Sequence, residues 1–384
     1  MGSTPIHSYH DIVDHLLDHF GGLEDGRNLK MTKRATLSAY RQLPTLYNWS
    51  YYYKRGRVST VAAYSAGTIA YDHTGGTYER QVTLTSGTWP SWAARGIVQV
   101  DNVNYDVYER KSDTVITLSE SNPGADLAAS TKYTLSRDAY PLPFDFQSAD
   151  QLRNVNKNWT WPSYVSPGEW LEAHKTLEAS NDPRIHTVMA DPDYYGTMSV
   201  FFYPPPSDAA NYDFIYQRDP LPLQVESYTD GTITVPLQSS TVTGTGTAFT
   251  SSMKGSVIRF GTTSDLPTGI EGLKPYQEQR TIVSVDSSTQ VTLDAVVSNG
   301  HTDVKYRISD VVDIEDGAMY EAFICLCESR LATLMKDDDA QAKHAMFNMN
   351  LRLAMQADNR FYGDDTGRPY EHIVHMRDFS TVTP

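Results

Sequence analysis

Two stretches of this chain spell the same series of short motifs in the same order, and that echo limits the fold more than any other feature. Gly67-Thr68-Ile69 answers Gly231-Thr232-Ile233. Gly87-Thr88-Trp89-Pro90-Ser91, followed by Gly96, answers Gly246-Thr247-Ala248-Phe249-Thr250-Ser251, followed by Gly255. The apolar run at 97–100 matches that at 257–260, and Thr114-Val115-Ile116-Thr117-Leu118 matches Gln290-Val291-Thr292-Leu293. Tyr133-Thr134-Leu135-Ser136 closes one series and Tyr306-Arg307-Ile308-Ser309 the other. In both stretches short runs of apolar and β-branched residues alternate between Gly, Pro, Asn, Ser and Asp, as half-buried strands joined by tight turns do. The repetition predicts two small antiparallel β-barrels or sandwiches, at 58–140 and 228–310.

At both ends of the chain the period becomes helical. Over 313–363, Tyr320, Ile324, Cys327, Leu331 and Leu334 recur every three or four residues, and Ala342, Met346, Met349, Leu353, Ala357 and Phe361 do so again. Each set forms one stripe along a helix. Asp337-Asp338-Asp339 lies between them, suited to cap the second helix and complement its N-terminal dipole. At the N-terminus Ser8-x-x-Asp11 precedes Ile12, Val13, Leu16, Leu17 and Phe20, a capping box before an apolar face. A second helix is expected from about Asn28 through Ala35, Ala39, Leu43 and Leu46, kinked or stopped early at Pro44. The aromatic burst Tyr47-Asn48-Trp49-Ser50-Tyr51-Tyr52-Tyr53 is expected to pack as core and edge rings.

Two amphipathic helices cannot cover their own apolar stripes, so the terminal helices are expected to pack together. The expected fold class is therefore α+β: a helical bundle from the N- and C-terminal helices, with two small antiparallel β-barrel or sandwich domains inserted. The expected domains are 1–57 (N-terminal helices), 58–140 (first β-insert) and 141–227 (Pro- and aromatic-rich segment). They continue with 228–310 (second β-insert), 311–363 (C-terminal helix pair) and 364–384 (tail). The 141–227 segment is expected to hold strands at 170–173, 198–203 and 212–218, with Pro204-Pro205-Pro206 breaking the chain between the last two.

Composition narrows the function. The formal charge is −15, which opposes grip on nucleic acid by its phosphates. One stretch runs against that balance: Arg27, Lys30, Lys33, Arg34, Arg41, Lys54, Arg55 and Arg57 follow one another with no carboxylate between. It is either a solvated face or a surface matched to an acidic partner. No run approaches the ~18 apolar residues of a membrane span, and the start lacks a basic-then-apolar signal. The two cysteines, Cys325 and Cys327, make no disulfide framework, which fits a reducing compartment.

Candidate chemistry is sparse. His15 and His19 stand one helical turn apart but lack the third ligand of a metal site. Cys325 and Cys327 lie about 200° apart on a helix, a core pair and no chelate. Thr243-Gly244-Thr245-Gly246-Thr247 has neither the Lys nor the following helix of a phosphate cradle and is expected to be a hairpin turn. Asn48-Trp49-Ser50 and Asn158-Trp159-Thr160 match the glycosylation pattern, which has no meaning without secretion. Asp191 and Asp193 sit in a turn-like Asp-Pro-Asp. No nucleophile with a recognisable base is found, so no enzyme, cofactor or metal is expected.

Ala39-Tyr40-Arg41-Gln42-Leu43 followed by Tyr47-Asn48-Trp49-Ser50-Tyr51-Tyr52 resembles the second helix and exit turn of the head-to-tail adaptor (connector) proteins of tailed bacteriophages. Further on, Pro141-Leu142-Pro143-Phe144-Asp145-Phe146 resembles the segment by which that family returns from its β-structure. Tyr203-Pro204-Pro205-Pro206, Tyr212-Asp213-Phe214-Ile215-Tyr216 and Asp219-Pro220-Leu221-Pro222-Leu223 resemble its strand, proline and tyrosine-strand series. Asp313-Ile314-Glu315-Asp316 into Ala318 and Ala322 resembles the start of its C-terminal helices. The two β-inserts depart from minimal members. The resemblance implies a structural virion protein of the phage neck, assembled in the host cytoplasm into a ring usually of about twelve copies. It implies the portal protein above, a tail tube, stopper or nozzle protein below, and genomic DNA passing through the channel without specific binding. Tail fibres held through the β-inserts are a further expected partner. Tyr320, Ile324, Leu331, Met346, Met349 and Leu353 are then candidates for subunit packing. Tyr370, Ile373, Val374, Met376 and Phe379 of the tail are candidates for portal binding, as an added strand or hook. The competing expectation is a carbohydrate-binding or decoration/fibre-attachment protein of the phage tail, using the exposed aromatics of the β-inserts.

Overall fold

A computed structural model describes residues 6–20, 25–73, 79–120, 123–149, 152–154, 162–174, 181–191, 196–268 and 274–359. Helices α1 (Tyr9–Leu17) and α2 (Gly26–Leu46) lead into strand β1 (Tyr53–Ser59). The first β-stretch holds β2 (Ile69–Asp72), β3 (Gln81–Leu84), β4 (Ile97–Val100), β5 (Val103–Arg110), β6 (Val115–Leu118), β7 (Leu127–Thr131) and β8 (Thr134–Ser136). The centre holds β9 (Ala139–Pro141), β10 (Phe146–Ala149), β11 (Arg153–Asn154), β12 (Ser163–Tyr164), α3 (Pro167–His174), β13 (Ile185–Ala190), β14 (Met198–Tyr203) and β15 (Asn211–Arg218). The second β-stretch holds β16 (Thr232–Val235), β17 (Thr241–Thr245), β18 (Val257–Phe260), β19 (Glu278–Ser287), β20 (Gln290–Leu293), β21 (His301–Val304) and β22 (Tyr306–Ser309). Helices α4 (Ala318–Met335) and α5 (Ala340–Asn359) follow. The chain is thus mixed α+β, with largely antiparallel sheets and the two expected C-terminal helices.

These elements gather into two compact units, one continuous over Tyr52–Asp219, the other joining Met1–Tyr51 to Pro220–Pro384. Each contains one seven-stranded sheet, and the two sheets share a topology. The order is β7-β2-β3-β6-β5-β4-β8 in the first and β21-β16-β17-β20-β19-β18-β22 in the second, the same series position for position. The strands at the two edges of each order are consecutive in the chain, so each sheet curls on itself as a half-barrel. Register agrees as well: Val98 pairs with Leu135 in one, Ile258 with Ile308 in the other.

The echoed residues explain why. Tyr64, Trp89 and Tyr133 pack their rings together in the first half-barrel, as Tyr228, Phe249 and Tyr306 do in the second. The Tyr133 hydroxyl donates to the Ala66 carbonyl at 2.8 Å, and the Tyr306 hydroxyl to the Asp230 carbonyl at 2.6 Å. The next residue in each case is a left-handed glycine, Gly67 at φ 75° and Gly231 at φ 78°. A Cβ on Gly231 would lie 2.2 Å from the Thr245 carbonyl oxygen, so both conformation and space demand glycine there. The apolar alternation then fills each interior, with Val82, Leu84, Ile116 and Leu118 in one and Val242, Ile282, Val291 and Leu293 in the other.

In the continuous unit, β15 is central to a sheet that pairs it with β1, β10 and β11. A second sheet runs β12-β13-β14-β9, parallel only between β12 and β13. Their shared core is Val58, Tyr140, Phe146, Val200, Phe202, Tyr212, Phe214 and Tyr216. Strand β14 falls at 198–203 as its sequence suggests. The expected strand at 170–173 is instead part of α3. Ser166 and Glu169 form a reciprocal capping box there: the Glu169 carboxylate accepts from the Ser166 N–H and hydroxyl, and the Ser166 hydroxyl accepts from the Glu169 N–H. Pro167 supplies the preset φ of a first helical residue. The boundary placed between 57 and 58 falls inside β1.

In the unit formed by the chain ends, Ser8 caps α1 with Asp11 in the expected capping box. Helix α1 packs on α2 and α4, α2 on α4, and α4 on α5. Pro44 does not stop α2, which runs to Leu46. So close to the helix end, proline forfeits a single hydrogen bond. The Gly-Thr run at 243–247 is mostly strand: Gly244 pairs with Ile233 inside β16–β17, where Thr247 occupies the room a side chain would need.

Candidate functional site

The exit from α2 is built by the motif that carries the resemblance. Trp49 is buried, and its indole N–H donates to the Leu43 carbonyl at 3.0 Å, satisfying a helix-end acceptor. The Ser50 N–H donates to both oxygens of Asp358 at 3.2 Å, and the Ser50 hydroxyl also donates to that carboxylate near the end of α5. The Tyr51 hydroxyl donates to one oxygen of Asp313 at 2.9 Å, while the Leu221 N–H donates to the other at 2.9 Å. One turn of chain therefore ties the exit of α2 to the segment that leads into α4 and to the end of α5. The aromatic burst packs as expected at Trp49 and Tyr52, both buried.

The six residues proposed for subunit packing do not form one face. Leu331 is buried within the chain, Ile324 is half-buried, and half-buried Tyr320 stacks on His7 with ring centroids 3.7 Å apart. Met346, Met349 and Leu353 point outward, 53%, 56% and 51% exposed. The buried line of α5 is the neighbouring one, through Phe347, Ala354 and Asp358. Helix α5 thus carries two apolar lines, and the one singled out by spacing is the uncovered one. A shallow groove there is lined by Ala345, Met349, Arg352, Leu353 and Gln356. Tyr370, Ile373, Val374, Met376 and Phe379 lie outside the described residues, as do Asp193 and the Asn158-Trp159-Thr160 pattern.

The basic stretch divides between the units. On β1, Arg55 and Arg57 both pair with Asp213, and Lys54 pairs with Asp145 at 3.0 Å. Hydrogen bonds from Arg57, opposed by burial and reinforced by Arg55, pull the Asp213 carboxyl down to about 2. These three cations share two carboxylates, Asp145 and Asp213, that the sequence places far away. On α2, Lys33 pairs with Glu226 at 2.9 Å, while Lys30, Arg34 and Arg41 are exposed along one open face. Arg330 of α4 joins them, its guanidinium held by the Gln42 side-chain oxygen.

The remaining candidates are structural. His15 bonds Glu328 at 3.1 Å and His19 bonds Asp337 at 3.4 Å, each imidazole on its own carboxylate. The His15 hydrogen bond, against burial, lowers the Glu328 carboxyl below its ordinary range. Cys327 is buried, which drives its thiol far up, and the Cys325 sulfur accepts from Asn350. Asp191 is buried against Arg95 at 2.5 Å and Ser199. Asp138 is buried too, and desolvation with the nearby Asp106 pushes its carboxyl up to about 6. No group of three His, Cys, Asp or Glu among the described residues is arranged to hold a metal.

Among the buried ion pairs that the sequence does not announce is Asp11 with Arg259. The guanidinium of β18 forks onto the α1 carboxylate at 2.6 and 2.7 Å, reaches the Ile6 carbonyl at 3.0 Å, and lies over the Tyr276 ring. The signal was an arginine inside the otherwise apolar Val257-Ile258-Arg259-Phe260. A charge on a buried strand requires a partner, although its sequence position cannot say which. No known protein family matches the chain, and no curated protein sequence is significantly similar to it.

Proposed function

We propose that this chain is a structural subunit of the neck of a tailed bacteriophage, a head-to-tail adaptor. In this reading α1, α2, α4 and α5 form one helical bundle, and copies pack side by side into a closed ring beneath the portal. A tail tube, stopper or nozzle protein docks below, and DNA leaves through the channel. The observation that carries the reading is the uncovered line of α5. Three large apolar side chains more than half exposed on one helix face are what a subunit needs for a head-to-tail contact with its neighbour. The Asn48-Trp49-Ser50-Tyr51 joint adds support, because it fastens the entering helix to α5 and to the segment before α4 at the residues that resemble the family. The half-barrels stand as the added surface, available to fibres.

Native mass spectrometry of the purified chain, alone and with its portal, tests the proposal. The wild type is expected to form a closed ring, and Met349→Glu with Leu353→Glu to reduce it to monomer with an unchanged circular dichroism spectrum. A wild type that stays monomeric beside the portal, or a charged variant that assembles as well as wild type, refutes the reading. A compact trimer that binds glycans would favour the tail-decoration alternative.

A further inference from the structure

The open face of α2 is the motif that neither the fold nor the proposed ring uses. Lys30, Arg34 and Arg41 fall at spacings of four and seven residues, so they line one side of the helix over about 16 Å. With Arg330 they border an open cleft of about 730 Å³, floored by the half-buried Leu37. No carboxylate among the described residues pairs with these four cations, in a chain whose net charge is −15. Arg330 is moreover held in place by a neutral group, the Gln42 amide, which fixes the fork without cancelling its charge. Like charges gathered and pre-positioned beside an apolar floor repel one another until an anion joins them.

We propose that this cleft between α2 and Arg330 docks a short acidic segment of a partner protein. Its carboxylates lie on Arg34, Arg41 and Arg330, and one apolar side chain rests on Leu37. Guanidinium forks match carboxylates bidentately, and the cleft is open along its length, as the seat of an extended segment must be. Charge complementarity also separates this occupant from a nucleic acid. A duplex carries a charge every ~1.7 Å and would extend beyond the cations onto a surface that is acidic on balance. A short peptide ends where the positive face ends.

Fluorescence anisotropy of the full chain with a labelled peptide of Glu-Glu-Leu repeats tests the assignment. Wild type is expected to bind saturably. Arg34→Glu with Arg41→Glu, and separately Arg330→Gln, are each expected to weaken binding by at least about tenfold, whereas Lys254→Glu leaves it unchanged. Arg34→Lys with Arg41→Lys, which keeps the charge and loses the fork, is expected to fall between. Absent binding to wild type, or equal binding to every variant, overturns the proposal. A labelled DNA duplex that outcompetes the peptide with the same sensitivity overturns it in favour of a nucleic acid.

Discussion

Asp11→Asn is the sharpest perturbation of the second half-barrel's attachment to α1. Burial disfavours the Asp11 carboxylate, yet hydrogen bonds and charge from Arg259 outweigh that cost and hold its pKa below the ordinary value. Asparagine keeps the shape and one oxygen to accept from the Ser8 N–H, so the cap survives. It removes the charge and turns an NH₂ toward a guanidinium that is 1% exposed. Arg259 keeps the retained amide oxygen, the Ile6 carbonyl at 3.0 Å, the Gln279 side chain at 3.0 Å and a long contact to Ser8 at 3.4 Å. None of these is a counter-charge. Leaving a buried ion unpaired costs about 3–5 kcal/mol, which in a unit of this size lowers Tm by about 6–20 °C. Adding Arg259→Met removes the orphan and fills the volume of its stem, so the double variant is expected to recover to within about 1–2 kcal/mol of wild type. Urea denaturation followed by circular dichroism measures all three. A single-variant loss under about 1 kcal/mol, or a double variant worse than either single one, refutes the claim that the pair is a buried, mutually required charge couple.

Asp213, held at about 2, lies below its unfolded value of ~3.9, so it stabilises the fold above about pH 4 and ceases to as pH falls toward 2. Asp213→Asn should flatten the acid limb of the stability curve in that window, measured by chemical denaturation at stepped pH. Tyr133→Phe and Tyr306→Phe each delete one hydroxyl-to-carbonyl bond at matching places, and each should cost about 1 kcal/mol. A large difference between them would show that the two half-barrels are not energetic equivalents. Ser166→Ala removes the hydroxyl bonds of the α3 capping box, one donated to the Glu169 carboxylate and one accepted from the Glu169 N–H, and leaves the bond from its own backbone N–H. It should cost about 1 kcal/mol and speed amide hydrogen exchange at the first turn of that helix.

What could be read from sequence was whatever depends on neighbours along the chain. The Ser8/Asp11 cap, the glycines before Thr68 and Thr232, and the two matching strand series are local signals, and the sheets follow them. Helix α3 is equally local in its Ser166-Pro167-x-Glu169 start, a helix signal that stands just ahead of the strand expected at 170–173. The face of α5 needed more than spacing. Met346 and Leu353 sit one position from Phe347 and Ala354, and hydrophobicity alone cannot say which line meets α4. The basic stretch divides for a different reason. Asp213 pairs with both Arg55 and Arg57 across sequence separations of 158 and 156, whereas Arg41 and Lys30 keep an open face. Arg330, the member of that face contributed by α4, lies 288 positions from its Gln42 brace.

The unit assembled from both chain ends imposes a timetable on biosynthesis. Its N-terminal helices leave the ribosome first, yet the segments they bury against, from Leu221 to Asp358, emerge last, while Tyr52–Asp219 can close by itself in between. At about 5–20 residues per second, Ser8 waits on the order of tens of seconds for Arg259 and Asp310. During that interval α1 and α2 hold exposed apolar faces, so a nascent chain is vulnerable to chaperone capture or to premature pairing with a neighbouring polysome product. Loss of α4 and α5 would therefore damage the helices made first as much as those made last.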